Sequence, residues 1–446
     1  MKNKLINFIK SNKALVFILF FTFIFSLFYS FYFRITPAVD ARGYDNIALN
    51  IVRGNGYKED ISANILRDNA INRIGPLYEF FLAGIYYVFG HNYEVVWILH
   101  SLLRVVTVWL IFLICILIFE KNENKKKIGL IASGIVGFYP DLIEISAMLM
   151  TETLYLFLFC LMIYLFFKYF NNKRILPAVI TGVVFGLATM ARPPILFLTP
   201  VLLFYFYRKK MIIPAILFFI SLSFVFTPWT ARNYKVYHEF MPFGVAGTYN
   251  FWIGNYHGAN GEQEQPSEAL NFIANHEIKD LQKESLKQIR LFLYNYPYEF
   301  VKLTFLRINK YFSIIRPMGF WFYQTGLGQF IFLFFSAAAS LVLFVFGLAG
   351  IIKSFLLKNE YLNYLFAFTI ITPLIIFVTV VETRYRFQIY PLLSIFAGYF
   401  IVQLTNKPRK FIDSALLLSI SIIFLNGVLD LILSIDRFKE RIGWFF

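Results

Sequence analysis

The sequence predicts an all-α polytopic membrane protein, a bundle of about eleven transmembrane helices with interfacial helices and two long loops on one side. Three observations carry that prediction. Hydrophobic residues are 59% of the 446 and charged residues only 15%, where a soluble domain carries roughly a quarter. Apolar runs near 20 residues recur, each long enough to cross about 30 Å of hydrocarbon as a helix. Basic clusters fall in alternate gaps between those runs. No stretch alternates apolar and polar with period two, so a closed barrel is excluded.

The net charge of +16 invites a nucleic-acid partner, but its distribution argues against one. The clusters are Lys2, Lys4, Lys10 and Lys13; Lys121 with Lys125 to Lys127; Lys168, Lys173 and Arg174; Arg208 to Lys210; Lys353 with Lys358; and Lys407, Arg409 and Lys410. Short gaps rich in Lys and Arg face the cytoplasm. The N-terminus is therefore expected inside and the C-terminus outside, with the lipid bilayer as the surrounding partner.

The spans are expected near Leu15–Phe33, Tyr93–Phe119, Ile128–Tyr139, Glu152–Phe167, Ile175–Ala191, Ile195–Tyr207, Met211–Trp229, Gln329–Ile352, Tyr361–Val381, Phe387–Leu404 and Phe411–Leu431. The first has a Lys-rich start and no small-x-small cleavage site after it, which reads as a retained signal anchor. Cys115 and Cys160 fall inside spans and form no disulfide framework. The richness in Asn, Lys, Ile and Phe fits an AT-rich bacterial genome, hence a bacterial plasma membrane. No internal repeat is visible, and residues 1–446 read as one domain.

Two outer segments exceed mere connectors, 34–92 and 230–328. The first holds Pro76-Leu77-Tyr78 and an apolar stretch through Phe89, too short to span and suited to the membrane interface. The second places Ile278, Leu281, Ile289 and Phe292 on one stripe, with Lys279, Lys283, Glu284 and Lys287 elsewhere. That pattern is an amphipathic helix. Another follows Pro297.

Charged residues at the outer ends of spans mark where chemistry is expected. Asp40 follows the first span, in Val39-Asp40-Ala41-Arg42-Gly43-Tyr44. A carboxylate there suits a general base for a hydroxyl arriving from outside, or equally the cap of a short loop helix. Glu152 opens the fourth span and fits a first-turn carboxylate as well as a catalytic one. Asp141 and Glu144, in the same outer turn, read as a solvated face. Arg73, Arg192, Arg232, Arg384 and Arg386 run against the charge rule, so they ask for a reason. Guanidinium forks bind phosphate, and snorkelling to headgroups is the plain alternative. Arg104 lies inside the second span, where an arginine is functional or paired. Pairing with a neighbouring helix is the plainer reading.

Taken together these motifs resemble the polyprenyl-phosphate-dependent C-type membrane glycosyltransferases, the superfamily of protein O-mannosyltransferases and lipid A aminoarabinose transferases. The matching features, in order, are Asp40 in the first outer loop, the Pro76 to Gly90 interfacial helix, and Arg104. Glu152, Gly186 to Pro193, Pro228 to Tyr234 and Glu382 to Pro391 follow. Many relatives have Asp at the position of Glu152. The resemblance implies a sugar donor on a polyprenyl phosphate and an acceptor hydroxyl outside the cytoplasm. It implies Asp40 as base, inversion at the anomeric carbon, and Glu152 as an orienting group. Tyr44 and the arginines Arg73, Arg192, Arg232, Arg384 and Arg386 would bind substrate. No His, Cys or carboxylate cluster has metal-ligand spacing, and the resemblance implies no cofactor while leaving metal dependence open. The alternative is a transporter or flippase of lipid-linked sugars, which would place ionisable groups at mid-membrane and show repeated halves.

Overall fold

The computed structural model describes residues 12–169, 171, 174–316, 326–406, 413–436 and 439, which are helical with no strand. Lys2, Lys4, Lys10, Lys173, Lys407, Arg409 and Lys410, residues 317–325 of the second loop and Phe411 at the start of the last expected span lie outside the described residues.

Helix α1 (Lys13–Phe33) leads into a first loop layer of α2 (Asp40–Val52), a 3-10 turn at Asn69–Asn72 and α3 (Leu77–Phe89). Then come α4 (Tyr93–Ile118), α5 (Lys125–Gly137), α6 (Pro140–Ser146), α7 (Thr151–Lys168) and α8 (Ile175–Ala191). A 3-10 stretch at Pro193–Leu198 feeds α9 (Thr199–Arg208), followed by α10 (Ile212–Tyr237). The second loop layer holds α11 (Ala246–Gly254), α12 (Ser267–Asn275), α13 (Leu281–Asn295) and α14 (Pro297–Phe312). The remaining elements are α15 (Gly326–Ser354), α16 (Glu360–Ile371), α17 (Leu374–Val378), a 3-10 helix at Thr383–Ile389 continued by α18 (Tyr390–Asn406), and α19 (Ser414–Leu433).

Eight of the expected spans are helices long and apolar enough to cross a membrane, and the α5–α6 pair makes nine if counted as one bent span. The chain is a multi-pass membrane protein. Against the expected eleven, eight or nine are found by length among the described residues, because α8 and the Pro193–Arg208 stretch are shorter apolar helices. Pro193 and Pro194 account for the break between them. A residue before proline leaves the α region, and the helix ends there. α10 runs past the expected boundary at Trp229 to Tyr237, so Arg232 is carried on a helix and not on a loop.

α18 lies at the centre, buried on nearly every side and packed between α15 and α5. α1, α10 and α19 expose apolar faces, as helices against lipid do. The 56° bend between α5 and α6 falls just before Pro140, and Arg104 lies against it. Its guanidinium donates to Ser26 Oγ on α1 at 2.5 Å and to the carbonyls of Val136 and Gly137 at 3.2 and 3.1 Å. Those carbonyls lie in the last turn of α5, Val136 O also accepting from Tyr139 N at 3.4 Å, and the arginine caps them where the chain turns. Pairing with a neighbouring helix is thus what Arg104 does. Asp141 and Glu144 correct an expectation. Both are buried on α6 and not on a solvated face, with Asp141 accepting from Ser336 of α15.

Candidate active site

The first-loop and late-chain arginines meet at one carboxylate. Asp40 opens α2, where the exposed N–H groups of a helix start favour negative charge. Its Oδ1 accepts from Arg73 Nη1 at 3.0 Å and its Oδ2 from Arg384 Nη2 at 2.8 Å. Each arginine has a second carboxylate. Arg73 forks onto Glu59 at 2.8 and 2.6 Å, and Arg384 Nε donates to Glu382 at 2.7 Å. Three acids and two arginines from four chain segments thus share one network, with Asp40 between the cations. Its side chain keeps a quarter of its surface open.

Two glycines make the approach possible. A Cβ on Gly43 would stand 2.5 Å from Arg73 Nε, so the guanidinium lies over the bare α-carbon. Gly75 has φ +59° and sits so near α8 that a Cβ would meet Met190 O at 2.1 Å. This left-handed turn brings the Arg73 segment against the end of α8, one residue before Arg192.

Arg192, just beyond α8, bonds Glu152 in the first turn of α7 at 2.6 Å. It also lies over the ring of Tyr385 at 5.5 Å, and Arg384 lies over the same ring at 5.5 Å. Tyr385 therefore joins the Glu152–Arg192 pair to the Asp40 network, and a narrow cleft lined by Glu152, Tyr155, Arg192, Arg384, Tyr385 and Gln388 opens between them. Tyr44 is buried beneath, its ring 5.5 Å from Tyr78. Burial, then the charges of Asp40, Glu79 and Glu152, push its phenol well above the ordinary value, so it stays a hydrogen-bond donor.

Arg232 adjoins this cluster through the segment that carries Glu59. It donates to Tyr57 O at 3.2 Å and Asn233 Oδ1 at 3.0 Å. The rings of Trp229, Tyr237 and Tyr57 lie 5.3, 5.5 and 5.6 Å from its guanidinium carbon. Among the described residues it has no carboxylate partner. Arg386 is not brought to the cluster. It is buried and donates to the carbonyls of Ser313 at 2.7 Å and Arg316 at 2.5 Å, tying the second loop to α18. In a 3-10 helix two residues are about 240° apart around the axis, so Arg384 and Arg386 point to different neighbours.

Electrostatics separate two carboxylates. Burial pushes Asp40 upward, but Arg384, then Arg73 and Arg192, outweigh it and hold the carboxyl below the ordinary 3.8. Glu79 on α3 goes the other way. It is fully buried, and burial raises it to about 8 against the weaker pull of its hydrogen bonds. Tyr57 donates to its Oε1 at 3.0 Å, and its Oε2 has no partner among the described residues. The sequence reading did not single out Glu59, Glu79 or Tyr385 as site residues. Tyr385 lies within the Glu382 to Pro391 motif and Glu79 shows as an acid inside an apolar helix, whereas Glu59 left no signal. Among the described residues no group of three or more His, Cys, Asp or Glu side chains is placed to hold a metal ion.

Residues 73–230 match the family model described as dolichyl-phosphate-mannose-protein mannosyltransferase. That stretch includes Arg73, Glu152 and Arg192 and stops short of Asp40, Arg232 and Arg384. The fold is similar to a solved Archaeoglobus fulgidus oligosaccharyltransferase in complex with zinc and sulfate, with TM-score 0.50 and 13% identity over 92% of this chain and 52% of that one. It is also similar to the archaeal oligosaccharyltransferase AglB from Archaeoglobus fulgidus in complex with an inhibitory peptide and a dolichol-phosphate, with TM-score 0.53 and 12% identity over 95% of this chain and 56% of that one. At 12–13% identity the likeness to these two structures is one of fold. The chain spans about half the length of these solved relatives. No protein of curated function matches its sequence.

Proposed function

We propose that the chain transfers a sugar from a polyprenyl-phosphate donor to an acceptor hydroxyl on the extracytoplasmic face of a bacterial plasma membrane. The observation that carries this reading is Asp40 held between Arg73 and Arg384, an ionised carboxylate and a pair of phosphate-binding forks in one place. The family match and the fold support it. The acceptor O–H gives its proton to Asp40 as its oxygen forms a bond to the anomeric carbon. The bond from that carbon to the phosphate oxygen breaks, and its electron pair leaves with the polyprenyl phosphate. The leaving group gains one negative charge and needs cations, not a proton. One displacement inverts the anomeric centre.

Arg232 is the first phosphate contact in this reading, since among the described residues its charge is unspent on any carboxylate and its contacts are an amide, a carbonyl and three aromatic rings. Arg384 is the second. As the phosphate draws on Arg384, Asp40 loses part of its clamp and becomes a better base than it is in the free protein. Glu152, fixed by Arg192 beside the cleft, orients a substrate hydroxyl. The acceptor is a lipid, protein or glycan. A transporter of lipid-linked sugars is less well supported, because the charged cluster lies at one end of the bundle and the mid-membrane Arg104 is spent on a helix cap. Mass spectrometry of a deletion strain tests the proposal. One lipid-linked sugar should accumulate as one envelope glycan loses that sugar. Unchanged levels of both would count against it.

A further inference from the structure

Helix α14 is built inside-out. Arg307, fully buried, and the nearly buried Lys310 face the protein. Arg307 reaches the carbonyls of Gly254, Gly261 and Phe377, and Lys310 reaches Asn260 O and Glu262 at 2.9 and 2.8 Å. Tyr298, Val301 and Phe305 face outward, at 80%, 50% and 67% exposure. With Lys302 they fall at i, i+3, i+4 and i+7, which is one face of a helix. A helix against water would carry these groups the other way round.

The same face shows what covers it. One turn beyond Phe305 it presents Asn309, whose amide donates to Asn426 O and Oδ1 at 2.8 and 2.9 Å, while Asn426 returns a bond of 3.0 Å to Asn309 O. Asn426 lies on the spanning helix α19, seven residues before its end, or about 10 Å along the axis. The surface of α19 around it, Phe424, Leu425, Leu429 and Ile432, is exposed and apolar, and on a spanning helix that surface meets hydrocarbon. The outward stripe of α14 is therefore continuous with a lipid-facing surface.

We infer that the outward face of α14 is immersed in the phospholipid leaflet at the site-bearing end of the bundle. Phe305 and Val301 lie in the upper acyl region, Tyr298 at headgroup level, and Lys302 extends to headgroup phosphate. Tyr at the interface and a lysine lifting its ammonium to phosphate are the residue types such a position selects. This membrane contact is separate from the donor site proposed above and does not depend on it. It anchors the second loop layer at the membrane surface, beside the charged cluster.

Single-cysteine variants of the full chain in phospholipid nanodiscs test this. Cys115 and Cys160 are buried, so a nitroxide reports the introduced site. The variants are Phe305→Cys, Val301→Cys and Tyr298→Cys, with Ala274→Cys on α12 as the exposed control. Collision with oxygen, which concentrates in lipid, is compared with collision with a water-soluble nickel chelate. The oxygen-to-nickel ratio should be several-fold higher at 305 and 301 than at 274, with 298 between. A ratio at 305 and 301 equal to that at 274 would mean that the face meets water and would overturn the inference. Protection of both sites from both probes would mean that protein covers the face, a second copy or another partner, and would overturn it equally.

Discussion

Replacing Asp40 with Asn separates chemistry from folding, because the network around it is redundant. Arg73 keeps both bonds to Glu59, and Arg384 keeps Glu382. Neither guanidinium is left as a bare buried charge, which is the costly outcome of breaking an ion pair. The two lost bridges are partly open to solvent, with a quarter of the Asp40 side chain exposed. Both bridges are nonetheless mostly buried, and a charge-assisted bond is worth about 1.5–3 kcal/mol; Asn Oδ1 still accepts one of them, so folding should lose roughly 2–4 kcal/mol. Turnover should fall about 10²–10⁴-fold for loss of a general base, or roughly 3–5 kcal/mol of barrier. Donor binding should hold or tighten, since Arg384 is freed. The assay is release of polyprenyl phosphate by purified, reconstituted enzyme, with donor affinity measured separately. The pH dependence follows from the same geometry. The folded carboxyl sits below its ordinary 3.8, so the bridges stabilise the protein above about pH 4 and are lost as pH falls through the lower folded value. Turnover of Asp40→Asn within a fewfold of the parent would refute the assignment. If Glu152→Gln then abolished turnover, the base would be Glu152.

Other predictions concern the neighbours. Arg232→Ala should raise the donor KM about tenfold or more, the loss of one charge-assisted contact of about 1.5–3 kcal/mol, while Arg232→Lys recovers part of it; an unchanged KM in both would place the phosphate elsewhere. Gly43→Ala should push the Arg73 guanidinium off Asp40 without unfolding α2, since the contact is with the end of a flexible side chain; full activity would show that this bridge is dispensable. Glu79 titrates near 8 when folded and at the ordinary 4.5 when unfolded, so stability should fall as pH rises between those values, by at most about 1.4 kcal/mol per unit. Glu79→Gln should flatten the dependence of melting temperature on pH, and an unchanged slope would show that Glu79 is ionised in the fold. An impermeant thiol reagent on intact cells should label a cysteine at Ala274 and spare one at Lys126, and the reverse would turn the site to the cytoplasm.

The membrane architecture was legible because hydrocarbon thickness dictates helix length. Seven expected spans are helices within a few residues of the boundaries read from apolar runs, and α10 starts as expected but runs on to Tyr237. Pro193 and Pro194 were visible too, and α8 has the expected bounds Ile175–Ala191, whereas the expected Ile195–Tyr207 is divided into a 3-10 stretch and α9. The residue types of the site were legible because outer arginines violate the charge rule. Their partners were not. Asp40 and Arg384 are 344 positions apart, and nothing local couples them. Glu59 lies in a loop with no helical period, so its fork to Arg73 depends wholly on the fold. Arg384 and Arg386 looked alike in sequence and diverge because the 3-10 turn aims them apart.

Reconstitution tests the central claim most directly. The purified chain is placed in liposomes with a labelled polyprenyl-phosphate sugar, starting from the mannose form, and with envelope acceptors, and release of polyprenyl phosphate is followed alongside transfer of label. The account predicts release coupled one-to-one to a new, inverted glycosidic bond, present with the parent chain and nearly absent with Asp40→Asn. Movement of the intact donor between leaflets, with no release and no dependence on Asp40, would contradict it.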